Sequence, residues 1–475
     1  MRSSRTGVYR PGWGDRRAAV RAFDTGEAQQ CPEPDRLRHP VVPTLRRGGH
    51  ATSIRPVTHQ DELVADISAH ALLRERDYMV YLVTRAFGVL GTVAQSVTMG
   101  WQVYDLARAE KGVAESALWV GILGLATFIP LFFLALPAGV VADRYSRRNL
   151  LMACFAAEAL CAAALVWAAV AGILTVGVLI GIAFAFGVAR AFRAPAGVAL
   201  APMLVPKPLL ARAIAWNSLA FQIGTISGPA LAGLLVGHWS SAHSYAVSLA
   251  LYAVPIVGLG FVKRSTTPEA PTGSRLERVK EGLLYIRNNR IVLGAISLDL
   301  FAVLLGGATA LLPVFARDIL HVGPQGFGLL RSAPAVGAAV VALFLAGRPV
   351  QKHAGFALFT GVAVYGLATI VFGLSRSFGL SLTALATLGG ADMVSVYVRQ
   401  TLVQIVTPDA MRGRVASVSF LFIGASNELG EFESGVTARL FGPVLAAVFG
   451  GVASLAVTGL WARYFPTLRR VDRLG

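Results

Sequence analysis

The feature that most constrains this chain is a series of about twelve apolar runs, each of about 20 residues and so long enough to cross a bilayer. They fall at 78–103, 117–141, 149–171, 173–192, 213–236 and 244–262 in the first half. The second half gives 291–313, 326–346, 355–373, 378–398, 415–438 and 443–463. A soluble chain of 475 residues would carry more than 15% charged residues and divide into several domains. The runs instead predict an all-α membrane protein with twelve transmembrane helices.

The formal charge of +17 raises nucleic acid as a partner, but the placement of the charges argues against it. Arg144, Arg147, Arg148, Arg193, Lys207, Arg212, Lys263, Arg264, Arg348, Lys352, Arg399, Arg412 and Arg414 fall in alternate inter-helix loops. The intervening loops, such as 171–175 and 238–244, are short and nearly uncharged. By the positive-inside rule this predicts a multi-pass membrane protein with both termini in the cytoplasm.

The densest cluster lies between the second and third runs, where 139–148 reads Gly-Val-Val-Ala-Asp-Arg-Tyr-Ser-Arg-Arg. So many cations in one turn are costly to translocate, which fixes the turn on the cytoplasmic side.

The two halves repeat. At a constant offset Pro206 matches Pro408, Arg212 matches Arg414, Gly228 matches Gly430 and Gly233 matches Gly435. Proline suits a first helical turn, where its missing N–H costs nothing, and Thr407 and Asp409 add cap and dipole character at the second start. The basic turn has an echo at 347–352, with Gln351 where the acid stood. Such a duplication predicts two six-helix bundles with a site between them. The organisation expected is a disordered basic cytoplasmic extension over 1–75, a first bundle over 76–263, a linker over 264–290, and a second bundle with a short basic tail over 291–475. Within the linker, Leu276, Val279, Leu283 and Leu284 lie near one face of an amphipathic helix, which either braces the halves or rests passively on lipid. No apolar core of a signal peptide precedes Tyr78. Cys31, Cys154 and Cys161 suggest neither a disulfide nor a metal site, and no enzyme motif is present.

Together, the 139–148 turn, the Arg193 to Pro206 stretch, Gly228 to Gly233, Leu298 to Gly306 and the Arg412-Gly-Arg414 start resemble the major facilitator superfamily. The closer resemblance is to its branch containing the enterobactin exporter and related efflux proteins. It implies two six-helix bundles related by pseudo-twofold symmetry. It also implies secondary active export of a small organic molecule, siderophore-like or drug-like, by alternating access and proton antiport. The partners implied are the small-molecule substrate, membrane lipids and protons, with no cofactor, no metal and a monomeric chain. Uptake, lipid flipping and a non-transporting sensor remain open on the same fold.

The resemblance assigns a gate to Gly139, Asp143, Arg144, Arg148 and Arg414. Asp143 would meet the positive start of span eleven, with Arg144 and Arg148 on neighbouring helix ends; Arg147 is a weaker member. Simple topology-setting charge is the alternative. Gly224, Gly228, Pro229 and Gly233 resemble the Gly-Pro motif of family antiporters. The upstream glycine would fall near Ala215 and the later spacing is one residue long, so tight packing explains them equally.

Charges inside spans are expensive and default to functional candidates. Arg85 and Asp299 occupy corresponding positions of the two halves. They are expected either to pair across the cavity, making and breaking or static, or to leave Asp299 as a proton site influenced by Arg85. Glu428 and Glu431, three apart on span eleven, share a face. In low dielectric one of them would hold a proton, unless the stretch lies in outer water. Gln95, Gln102, Asn217 and Gln222 are candidates for hydrogen bonds to substrate or between helices. Asp392 with Arg399, and Arg331 in span eight, read as internal pairs or snorkelling charges, and Glu158 as a structural acid paired with an arginine of a neighbouring helix.

Overall fold

The computed structural model describes residues 71–264, 266, 275–350 and 352–472. The expected extension over 1–75 therefore lies outside the described residues except for 71–75, as does most of the linker's first part.

The first half forms α1 (Arg76–Glu110), α2 (Val113–Arg144), α3 (Arg147–Val170), α4 (Val176–Leu204), α5 (Leu210–His238) and α6 (Ser241–Gly260). A linker helix, Arg275–Asn288, leads into the second half. There follow α7 (Arg290–Leu305), α8 (Gly323–Gly347), α9 (Ala354–Leu374), α10 (Phe378–Val406), α11 (Asp409–Phe441) and α12 (Pro443–Tyr464). Side-chain caps start several of them. Thr175 accepts from the Val178 amide, Ser240 from that of His243, and Asn289 from those of Ile291 and Val292. Thr407 does not act as a cap: Pro408 holds that position in α11, and the Thr407 hydroxyl is buried without a partner.

Eleven helices among the described residues are long and apolar enough to cross a membrane. The twelfth, α11, has 33 residues but carries Glu428, Glu431 and Glu433 in its middle. Packed against α2, α7 and α12, it meets protein where a lipid-facing helix would need apolar side chains. Several helices also run further than their apolar runs. Arg193 and Arg399, expected in loops, sit inside α4 and α10, and the 139–148 turn is helical apart from Tyr145 and Ser146.

The packing repeats between halves. In the first bundle α1 lies against α5 and α6, α2 against α4, and α3 against α4 and α6. In the second, α7 lies against α11 and α12, α8 against α10, and α9 against α10 and α12. The bundles meet along α2 with α11 and α5 with α8, pairs that a twofold axis would exchange. The matched glycines explain why the sequence repeats there. A Cβ on Gly228 would come within 2.7 Å of Val93 on α1, and one on its counterpart Gly430 within 3.0 Å of the Leu304 carbonyl on α7. A Cβ on Gly233 would stand 2.5 Å from the Pro324 carbonyl and 2.8 Å from Gly328 on α8. On Gly435 it would stand 2.9 Å from Gly121 on α2. One matched pair, Gly228 and Gly430, thus closes each bundle from within, and the other, Gly233 and Gly435, closes the crossings between bundles.

These crossings lie near the short-loop end of the molecule. Toward the basic-loop end the bundles part. Ile214, Trp216, Leu219, Phe221 and Ile223 project from two opposite sides of α5, yet each is 44% to 53% exposed. The linker helix lies at this end, packing Val279 and Ile286 against α11 and α7 and touching α2. Leu283 and Leu284 stay exposed, so the expected single apolar face is divided between protein and surroundings.

Candidate functional site

Where the parted and closed regions meet, at mid-height, two acids of α11 face arginines of two other helices. Arg190 of α4 places Nη2 3.5 Å from Oε1 of Glu428, joining one bundle to the other. Thr127 of α2 donates to Oε2 of the same carboxylate at 3.1 Å, a second cross-bundle bond. One turn along, Arg331 of α8 places Nη2 3.0 Å from Oε1 of Glu431. The backbone fixes Arg331 as well. The span begun by α7 is broken after Leu305 by Gly306 and Gly307, and Arg331 donates from Nη1 to the Thr309 carbonyl beyond the break at 2.9 Å. Gly307 permits the break to lie against α11, because a Cβ there would stand 2.4 Å from the Gly430 carbonyl. Glu431 in turn rests on Gly124 of α2, with Oε2 3.1 Å from where a Cβ would sit.

Glu428 and Glu431 therefore do not share one unpartnered space. Each has its own guanidinium, and the four side chains are 15% to 31% exposed. Coupled charges that are reachable by water and belong to both bundles can respond to a proton or a ligand and pass the response to the bundle interface. Glu433 turns away and accepts from Thr437 of its own helix at 2.6 Å.

Asp299 has a different partner from the one expected. Its Oδ2 lies 3.1 Å from Nη2 of Arg399 on α10, inside the second bundle. Arg399 was expected at a loop or paired with Asp392; the structure gives it to Asp299 instead. Asp392 and Ser395 of α10 line the same small pocket, with Tyr365 of α9. The corresponding Arg85 stays in the first bundle, its guanidinium carbon 5.8 Å from the centre of the Phe221 ring. Glu158 pairs with Arg193 at 2.6 Å and accepts from Thr92 at 2.9 Å, tying α3, α4 and α1 together.

The polar candidates divide. Gln222 reaches across the bundles, donating to the Ala335 carbonyl at 2.8 Å. Gln102 accepts from Tyr245 at 2.6 Å within the first bundle. Gln95 is fully buried there, with neither end of its amide bonded. Asn217 leaves Oδ1 buried without a partner. Among the gate candidates, Gly139 is buried in α2, Arg144 is exposed, and Asp143 lies within electrostatic reach of Arg147. Arg147 donates to the Ala199 carbonyl of α4 at 2.8 Å, and Arg148 to the Val262 carbonyl after α6 at 2.6 Å. Arg414 binds Glu281 of the linker helix at 2.6 Å. These three bonds hold each half and its linker; none of them spans the two bundles. Gly224 and Gly228 pack on α1, Pro229 is buried in α5, and Gly233 forms the crossing with α8.

Two groups escaped the sequence reading. Arg190 stood as the lone cation of its apolar run, a signal that could have singled it out. At the short-loop end, Asp318 accepts from Tyr104 at 2.5 Å and from Arg108 Nε at 3.1 Å, while Arg317 binds Asp105. These contacts clasp α1 to the end of the seventh span.

The arrangement of two six-helix bundles around a central charged site is that of a major facilitator transporter, and solved structures share it. The nucleoside transporter NupG matches with a TM-score of 0.65 at 14% identity, covering 82% of this chain and 100% of that one. A D-xylose-proton symporter matches at 0.63 with 12% identity, covering 84% and 99%. At such identities the likeness is one of fold. Residues 67–474 match the family described as transmembrane secretion effector, and the chain belongs to that family of the major facilitator superfamily. It is a multi-pass membrane protein and a secondary transporter, not an enzyme. It is similar to the enterobactin exporter EntS of Citrobacter koseri, 27% identical over 349 residues covering 73% of this chain and 80% of that protein. The Escherichia coli O1:K1 exporter of the same name is 25% identical over 360 residues, covering 75% and 84%.

Proposed function

We propose that this chain exports a small organic molecule, siderophore-like or drug-like, across the bacterial inner membrane by alternating access coupled to proton antiport. The similarity to enterobactin exporters supports the direction and the substrate class. The positive-inside distribution supports a cytoplasmic basic-loop end, so the parted bundles face the cytoplasm and substrate enters from there. The observation that carries the coupling is the Arg190–Glu428 pair between bundles. Protonation of Glu428 removes the charge that holds Arg190, which frees one bundle to rock against the other; deprotonation restores the bond. Glu431 and Arg331 form the adjoining element. Asp299, paired with Arg399, and Asp392, which lines the same small pocket, form a second proton-accepting group. The Asp143 turn supports a latch toward the start of α11 that would close only when the cytoplasmic end closes.

The test is transport in everted vesicles. An acid vesicle lumen, which gives an outwardly directed proton gradient, is expected to drive uptake of exported compounds in the wild type. Glu428→Gln should lose the gradient dependence while retaining exchange of substrate across the membrane. Unchanged gradient-driven uptake in that variant would remove Glu428 from the coupling step.

A further inference from the structure

We infer that Arg85 is the anchor for a negatively charged group of the transported molecule, a carboxylate or phenolate carried beside an aromatic ring. This rests on the transport reading above and adds the substrate's charge and the place where it binds.

The argument comes from comparing the two halves at one position. In the second bundle Asp299 of α7 is matched by Arg399 of α10, and both are almost fully buried. In the first bundle the residue corresponding to Asp299 is Arg85, on α1. The helices α4 and α10 each have 29 residues, and Arg399 and Gly197 are the twenty-second residue of each. Gly197 is indeed the neighbour of Arg85. A Cβ built there would stand 3.7 Å from Arg85 Nη1, an ordinary van der Waals distance. The second bundle thus completes an ion pair from its own side chains. The first keeps a cation and places a glycine where the counter-charge would project.

No acid among the described residues forms an ion pair with Arg85, whereas Arg190, Arg193, Arg331 and Arg399 each have one. Its Nε is buried with no hydrogen-bond partner. An uncompensated guanidinium inside a membrane is expensive, and a bound anion would offset that cost. Its surroundings suit an aromatic acid. The guanidinium lies over Phe221, itself 47% exposed on the parted side of α5. Asn217, one turn before Phe221, holds Oδ1 without a partner and can bond a hydroxyl. Tyr81, whose hydroxyl neighbours Arg85, donates to the Gly197 carbonyl at 2.8 Å, so that this backbone acceptor is already bonded and does not compete with an anion for the guanidinium. A planar guanidinium takes a carboxylate through two parallel bonds, and the ring beneath it provides a stacking face.

The experiment compares 2-naphthoate with 2-naphthamide, similar in shape but different in charge, as probes of the full-length protein in phosphatidylcholine nanodiscs. The wild type should bind the acid about tenfold more tightly than the amide. Arg85→Gln should abolish that preference and Arg85→Lys retain part of it. Gly197→Asp, which places an acid beside an intact Arg85, should also abolish it. Arg376→Gln, at an exposed cation of the loop between α9 and α10, should leave it unchanged. Equal binding of the two probes by the wild type, or an undiminished preference in folded Arg85→Gln and Gly197→Asp proteins, would overturn the assignment. Adding phosphatidylglycerol distinguishes the other source of anion: Arg85-dependent loss of naphthoate binding would give the place to a lipid headgroup and overturn the role in transport. The readout is binding, so failure of the export reading is separable. An Arg85-dependent preference without acid-driven transport would sink only the proton-coupled exporter.

Discussion

Two ion pairs one turn apart on α4 show how the same chemistry does different mechanical work. Arg193 meets Glu158 at 2.6 Å inside the first bundle, where the carboxylate is fully buried and also accepts from Thr92. Arg190 meets Glu428 at 3.5 Å across the bundle interface, with both side chains partly exposed. A short pair whose carboxylate is fully buried and bonded at both oxygens ties three helices into one body that moves as a unit. A longer, water-reachable pair can be broken by one proton, and when it breaks the two bodies can move. The molecule therefore needs both kinds, and their difference in burial predicts a difference in what their loss does.

The largest effect is expected at the buried pair. Arg193→Met strands the Glu158 carboxylate among apolar side chains, which should destabilise the protein by about 3–5 kcal/mol. The check is denaturant unfolding in mixed micelles, with Glu158→Leu added as a second change. The double variant should recover most of the loss, because two apolar groups need no compensation. A mild single effect would mean that Arg193 is not holding the bundle together.

Next in size is the crossing between bundles. Gly233→Val would push methyl groups against the Pro324 carbonyl and Gly328, at a cost of about 1–3 kcal/mol where neither helix can yield. Because the clash exists only while the short-loop end is closed, the cost should fall on that state. Accessibility of cysteines placed along α5 and α8 should then rise at the short-loop end. Unchanged accessibility, with lower overall stability, would make the glycine a packing residue alone.

What could be read in advance follows the range of the interactions. Spans and bundles were legible because hydropathy is local and the duplicated halves show the same glycines twice. Partners were not. Asp299 finds Arg399, a cation that sequence reading placed in a loop, because α10 runs beyond its apolar run and carries that arginine into the bundle. Glu428 and Glu431 were legible as neighbours on one face, yet their separation into two arginine pairs depends on α4 and α8 arriving from opposite bundles. Gln95 and Gln102 could not be sorted from Gln222 by periodicity alone, since only packing determines which face of a central helix meets the other bundle.

A smaller stability effect and a larger functional one are expected at the cross-bundle pair. Glu428→Gln leaves Arg190 facing water-reachable space, so unfolding should change by less than about 1 kcal/mol while proton coupling is lost. A stability loss as large as that of Arg193→Met would erase the distinction between the two pairs.

The smallest effect lies at the short-loop end, where the comparison can be made most finely. Asp318 joins Tyr104 and Arg108, and Arg317 joins Asp105, so two ion pairs supplement the glycine crossings. Partly exposed pairs of this kind contribute about 0.2–1 kcal/mol each. Asp318→Asn keeps a hydrogen bond to Tyr104 but removes the charge facing Arg108. It should shift the balance of closed and open short-loop ends by roughly two- to fivefold without changing unfolding detectably. Spin labels at Glu110 and His321, both exposed, would report that shift as a growing long-distance population in pulsed dipolar spectra. Adding Asp105→Asn should deepen it, since each pair acts across the same opening. If neither change moves the distribution, the glycine crossings close this end unaided, and the charges that govern the bundles lie at mid-height.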